Sequence, residues 1–145
     1  VGCAWNEISG RYVKFKQTFH CPDEWRSTPH FSIKQGSGRP LDDKIQLDCT
    51  SMYLDAMDSL FKTYDELLSL GVCKEQARMV LPVALMSECH WTCSFQALIH
   101  FLKQRTDQHA QKEIKECAWS IIRILNQDED MKRLLKICGL NSELV

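Results

Sequence analysis

Three arginines and one serine carry most of the chemistry this sequence offers. Ser9-Gly10-Arg11 sets a hydroxyl and a guanidinium on either side of a glycine. A glycine lets backbone N–H groups approach a ligand closely, and a planar guanidinium grips a phosphate through two parallel hydrogen bonds. The triplet suits a small phosphorylated ligand, and it equally suits a polar turn ahead of a strand. Arg78 lies in a short helical pattern beside Ala77 and Val80, where by itself it is an ordinary surface arginine. Arg105 falls seven residues after Leu98, in register with Leu98, Phe101 and Leu102, so a cation is expected where the apolar stripe would place a leucine. Either it ends a helix, offsetting the dipole and bonding the last carbonyls, or it faces inward toward a ligand.

Other constellations are weaker. Cys89, His90, Cys93 and His100 are soft or borderline metal ligands close in sequence. Cys89 and His90 point apart on an extended chain, however, and no second paired cysteine motif follows, so no metal site is expected. Cys93 and His100 on one helix lie two turns apart, about 10 Å, too far for a nucleophile and its base. Ser9 as a nucleophile has only Glu7 nearby, on the opposite side of an extended backbone.

The elements that must position these groups follow from periodicity. Tyr12 to Phe19 alternates, with Val13, Phe15 and Phe19 on one side, and predicts a half-buried strand ended by Pro22. Lys34-Gln35-Gly36-Ser37-Gly38-Arg39 predicts a surface loop. Tyr53, Met57, Leu60, Phe61, Tyr64, Leu67 and Leu68 recur at threes and fours, predicting a long scaffold helix from Asp42 to Leu70 stopped by Gly71. A short helix from Lys74 to Val80 should stop ahead of Pro82. An extended segment from Val83 to Thr92 then leads into a helix from Ser94 to Gln104. Thr106 or Asp107 should cap a helix reaching Leu125. A last helix from Glu129 to Cys138 ends at Gly139, with a frayed tail from Leu140.

Composition narrows the partners. With 145 residues the chain can bury roughly two thirds of its unfolded surface, enough for one core, so a single domain is expected. A net charge of -1 and a pI near 6.6 give no basic face for a nucleic acid, so any bound anion is small and locally held. Several of the eight cysteines fall inside helical patterns, and all are expected as reduced thiols in a cytoplasmic protein. No apolar run approaches the roughly 18 residues of a membrane span. Trp5 and Ile8 are apolar with nothing before them to pack on, as if a preceding element were absent.

Two stretches resemble the flavin-dependent thymidylate synthase family. Asn6-Glu7-Ile8-Ser9-Gly10-Arg11-Tyr12 is similar to the end of its signature, Arg-His-Arg-x-x-Ser-x-Asn-Glu-x-Ser-x-Arg-Tyr, whose second Arg then falls on Val1 and first Ser on Ala4. Ala77-Arg78-Met79-Val80-Leu81-Pro82, then Ser94-Phe95-Gln96-Ala97-Leu98-Ile99-His100-Phe101-Leu102-Lys103-Gln104-Arg105 and the residues to Ala118, resemble its C-terminal half. The resemblance implies an α+β fold, mostly helical with a small antiparallel sheet. It also implies reductive methylation of dUMP to dTMP, with methylenetetrahydrofolate giving the carbon and FAD, recharged by NADPH, giving the hydride.

By the same resemblance Glu7, Ile8, Ser9, Gly10 and Arg11 of one subunit and Arg78 of another hold dUMP. Arg105 is the catalytic group that stabilises charge developing on the uracil. Glu7, Ser94, Phe95, Gln96 and His100 line the FAD, with Ser94 and Gln96 standing where many members have Asn and Arg. A homotetramer with shared active sites is implied, and its alternative is a non-catalytic helical interaction domain derived from such an enzyme.

Overall fold

The computed structural model describes residues 2–29 and 36–140. Lys34 and Gln35 of the expected loop, and the expected tail beyond Leu140, lie outside the described residues. The elements run β1 (Cys3–Glu7), α1 (Asp43–Ser69), α2 (Lys74–Ala77), a 3-10 turn (Arg78–Val80), β2 (Cys89–Cys93), α3 (Phe95–Arg105), α4 (Lys112–Leu125) and α5 (Glu129–Ile137). The fold is α+β, mostly helical with one small antiparallel sheet. Two compact units divide the chain: one of Val1–Ala4, Thr28–Arg39 and Thr92–Val145, the other of Trp5–Ser27 and Pro40–Trp91.

The second of these is built on α1. Met57, Phe61 and Tyr64, spaced by four and three, are its buried stripe. Each contributes on the order of 1.5–3 kcal/mol by leaving water. The helix stops at Gly71, whose φ of 87° suits a residue without Cβ. Its N–H returns to the Leu68 carbonyl and that of Val72 to Leu67, satisfying carbonyls the helix leaves open. Gln46 of α1 bonds both the N–H and the carbonyl of Trp25, at 2.6 and 2.9 Å, and the Tyr53 hydroxyl bonds the His20 carbonyl at 2.6 Å. Phe19, Trp25, Tyr53 and Phe61 form a chain of ring contacts along the same face. The short helix ends as expected: Leu81 takes an extended ψ of 140° ahead of Pro82.

The strand expected over Tyr12 to Phe19 does not form. Tyr12 and Val13 both donate their N–H groups back to the Ser9 carbonyl, and Thr18 donates to Lys16, so the backbone groups a strand would offer are used within turns. Only Phe19 finds a cross-strand partner, in an isolated antiparallel bridge to Leu85. Phe15 and Phe19 are half-buried as the alternation suggested, whereas Val13 is exposed.

The sheet lies instead at β1 and β2, only the second of which falls in a stretch read as extended. Ser94 donates to Gly2 at 2.8 Å and Ile8 to Glu88 at 3.0 Å, an antiparallel register that sets Cys3 opposite Cys93, Trp5 opposite Trp91 and Glu7 opposite Cys89. The two indoles stack 5.4 Å apart at 11°.

In the unit holding α3, α4 and α5, the core is Leu102, Ala118, Ile122 and Leu135, closed by Leu140. Leu140 is 7% exposed, so the frayed tail does not begin there: its N–H bonds Leu135 and its side chain folds onto the core, as a residue just past a helix-ending glycine often does. α4 starts at Lys112, later than expected, because Asp107 accepts the His109 N–H at 2.8 Å and Thr106 bonds back to Leu102 at 2.9 Å. Both candidate caps are spent in local turns. No helix among the described residues is long and apolar enough to cross a membrane.

Candidate functional site

β1 delivers the first group of site residues. Glu7 is its last residue, and its carboxylate accepts a 2.5 Å hydrogen bond from the Ser87 hydroxyl. Ile8 prolongs the ladder by one bond to Glu88. The chain then turns, because the Ser9 carbonyl accepts from both Tyr12 and Val13. Within this turn the Ser9 hydroxyl oxygen lies 3.4 Å from the Arg11 backbone N and 3.3 Å from its Nε. The Arg11 guanidinium also lies 5.3 Å from the centre of the Tyr12 ring, a cation–π approach.

One edge of that guanidinium is thus held, while its two terminal nitrogens have no protein partner among the described residues. Two parallel donors presented from a tethered Nε match the geometry of a phosphate or carboxylate.

Gly10 is buried for a reason the sequence does not announce. A Cβ there would lie 2.1 Å from the Phe15 ring. The ring occupies the side-chain space, so packing of the turn requires glycine whatever its N–H contacts. Lys74 of α2 bonds the Tyr12 carbonyl at 2.9 Å and fastens the far side of the turn. Arg78, one helical turn after Lys74, is exposed, and its guanidinium makes no hydrogen bond or ion pair among the described residues. Glu7 to Arg11 are therefore brought together, and no such bond joins Arg78 to them.

α3 carries the second group. Ser94 caps it, accepting the Ala97 N–H at 3.2 Å from an extended backbone. Phe95 is 36% exposed, Gln96 and His100 are exposed four residues apart, and His100 Nε2 lies 3.1 Å from the Gln104 amide nitrogen. Leu98, Ile99, Phe101 and Leu102 turn to the core, so Gln96, His100 and Gln104 form a polar ridge on the helix.

Arg105 is the last residue of α3, as one expectation had it, and stands as a cation in the last turn, where it offsets the dipole. It lies on the angle of the apolar stripe, yet the core closes at Leu102 and α3 ends at Arg105, so the side chain is exposed instead of facing inward. Nor does it bond the last carbonyls: Thr106, through its backbone N–H and its hydroxyl, takes that of Leu102. Its guanidinium has no partner among the described residues.

Sequence reasoning missed Ser87, Lys74, Phe15 and Gln104. The last was legible, since it follows His100 by four. Ser87 and Lys74 depend on contacts between residues remote in sequence, and Phe15 on a turn that brings its ring back over Gly10. A cavity of about 480 Å³ runs along α1 between Gln17, Phe61, Lys62 and the carboxylates of Asp58, Asp65 and Glu66. It contains none of the expected site residues, and its excess of acid does not suit a phosphate. Among the described residues no three His, Cys, Asp or Glu side chains are gathered as for a metal ion.

The family model described as thymidylate synthase complementing protein matches residues 1–128. Over 119 residues the chain is 34% identical to a flavin-dependent thymidylate synthase of Kosmotoga olearia, covering 82% of this chain and 51% of that protein. Over 121 residues it is 36% identical to one of Dictyostelium discoideum, covering 83% and 40%. Among solved structures it is similar to the UMP/dUMP methylase PolB of Streptomyces cacaoi bound with 5-Br UMP. That match has a TM-score of 0.83 and 26% identity, covering 97% of this chain and 66% of the other. The chain spans about half the length of the flavin-dependent synthases it matches.

Proposed function

The chain belongs to the thymidylate synthase complementing protein family, and on that premise we propose that it forms part of a flavin-dependent thymidylate synthase. Such an enzyme methylates dUMP reductively to dTMP, using methylenetetrahydrofolate, FAD and NADPH. The observation that carries this reading is the Ser9–Arg11 turn, whose guanidinium is oriented at one edge and unoccupied at the other. It lies in the segment matching the family signature.

In this reading Arg11 takes two phosphate oxygens of dUMP, with the Ser9 hydroxyl beside it and Arg78, from a second subunit, completing the charge balance. Glu7, held by Ser87, sets the start of the turn. The donor set of α3 fits a flavin: Ser94, Gln96 and His100 provide hydrogen-bonding groups on one helix, and Phe95 adds a partly exposed ring. When bound, FAD supplies the hydride. Gln96 and His100 would hold the cofactor, through hydrogen bonds from the exposed face of α3.

Arg105 donates to the uracil as negative charge grows on N3 and O4, an interaction worth most where water is excluded. Arg105 is exposed at the end of α3, so in this reading the exclusion of water comes from further elements, those of a homotetramer with shared sites. The experiment is purification of the full-length protein, followed by its visible spectrum and by dUMP-dependent oxidation of its reduced flavin. A yellow protein whose flavin is oxidised on addition of dUMP and methylenetetrahydrofolate supports the proposal. A protein that takes up no FAD even when it is added in excess supports the non-catalytic helical domain instead.

A further inference from the structure

β1 and β2 place two thiols face to face. The bonds from Ser94 to Gly2 and from Ile8 to Glu88 fix the hydrogen-bonded pairs of this antiparallel ladder, and Cys3 and Cys93 fall between them as a non-hydrogen-bonded pair. Directly opposed residues at such positions have Cα atoms about 4.5 Å apart and side chains leaning toward each other on one face. A disulfide needs Cα atoms roughly 4.4–6.8 Å apart, so the backbone need not move to close one. Both cysteines are free thiols, Cys3 exposed and Cys93 half-buried. Burial, with Cys3 next to it, holds the Cys93 thiol above its ordinary pKa, which agrees with the two sulfurs being neighbours. The other cysteine on this face, Cys89, is opposed by Glu7 and has no thiol across the ladder.

We propose that Cys3 and Cys93 are a redox pair, closed to a cross-strand disulfide by a small disulfide oxidant such as glutathione disulfide and reopened by dithiols. Cys3, the exposed partner, gives up its proton and attacks one sulfur of glutathione disulfide. That forms a mixed disulfide and releases one glutathione thiolate. Cys93, deprotonated in turn, attacks the Cys3 sulfur and expels the second glutathione thiolate. Two protein thiols are oxidised by two electrons, the oxidant is reduced to two glutathione thiols, and the two protons pass to those thiolates. The bond ties β1 to the residue just before Ser94, the cap of α3, so the state of the pair bears on the helix that carries Gln96 and His100.

The test equilibrates the full chain in glutathione buffers of rising oxidised fraction, alkylates the remaining thiols, and maps the digested peptides by mass spectrometry. The expected result is a linked peptide joining Cys3 to Cys93 that forms before mixed disulfides appear at exposed Cys73 and Cys117 and disappears with dithiothreitol. Cys93→Ala should leave Cys3 as a stable mixed disulfide with glutathione, because the resolving thiol is gone. The proposal is overturned if, in the parent chain, Cys3 and Cys93 are modified separately at the oxidised fraction that modifies Cys73. Links to other cysteines in place of this one overturn it equally.

Discussion

Replacing Arg11 by Ala tests the phosphate-binding turn most directly. The parent side chain is oriented by Ser9 at 3.3 Å and by the Tyr12 ring at 5.3 Å, and it offers two unengaged terminal nitrogens. A hydrogen bond to a charged partner is worth about 1.5–3 kcal/mol. Arg11 is exposed, so solvent screening reduces two such bonds to roughly the worth of one. The expected loss in dUMP affinity is therefore about ten- to a hundredfold, at about 1.4 kcal/mol per factor of ten. Deoxyuridine, which has no phosphate, should bind as to the parent. Ser9→Ala removes the hydroxyl that holds the Arg11 backbone N and Nε but leaves the guanidinium itself, and should weaken dUMP by about threefold, the worth of one ordinary hydrogen bond of roughly 0.5–1 kcal/mol. The assay is calorimetric titration of full-length protein at fixed ionic strength, with circular dichroism confirming that each variant is folded. Equal losses for dUMP and deoxyuridine would refute the reasoning, since they would place the lost contact on the nucleoside or in the fold.

Three further outcomes are expected. Arg105→Lys keeps the charge but not the planar fork, so dUMP-dependent flavin oxidation should fall about two to three orders of magnitude while the melting temperature holds; a parental rate removes Arg105 from the chemistry. Gly10→Ala drives a Cβ into the Phe15 ring, for which overpacking predicts a loss of about 1–3 kcal/mol in chemical denaturation, and an unchanged midpoint would show that the ring moves freely aside. The Asp65 carboxyl is held below its ordinary pKa by its hydrogen bond from Lys14 and a weaker one from Gln17. A folded-state value lowered in this way stabilises above the unfolded-chain value and is lost as pH falls through the lowered one. The melting difference between parent and Asp65→Asn should therefore shrink on acidification, and a difference that grows instead contradicts the pairing.

Periodicity made α1 and α5 legible, because three-and-four spacing and a terminal glycine are both local signals, and Gly71 and Gly139 do stand at the left-handed position. It misled at Tyr12 to Phe19, where alternation belongs to a loop whose N–H groups fold back on Ser9 and Lys16. It was nearly silent on β1 and β2, each five residues long and mostly exposed, since a strand that buries little leaves little apolar pattern. At the candidate site the residue types of Ser9 and Arg11 pointed to the chemistry, and the resemblance supplied their setting. Ser87 on Glu7, Lys74 on Tyr12 and Phe15 on Gly10 emerge only from folding. The angle of Arg105 was right and its exposure was not, because a wheel gives direction without saying where the cover ends.

The stacked pair of Trp5 and Trp91 gives this chain an optical signature of its own. Two indoles 5.4 Å apart in nearly parallel planes couple their ultraviolet transitions, so a rotation of one ring over the other within those planes should appear as a split circular-dichroism couplet distinct from the helical bands. A slip of the strands by one residue would send the rings to opposite faces and erase the couplet without altering helix content. Strand register, normally invisible in a spectrum dominated by helices, thereby becomes a quantity that can be followed in real time during refolding or titration.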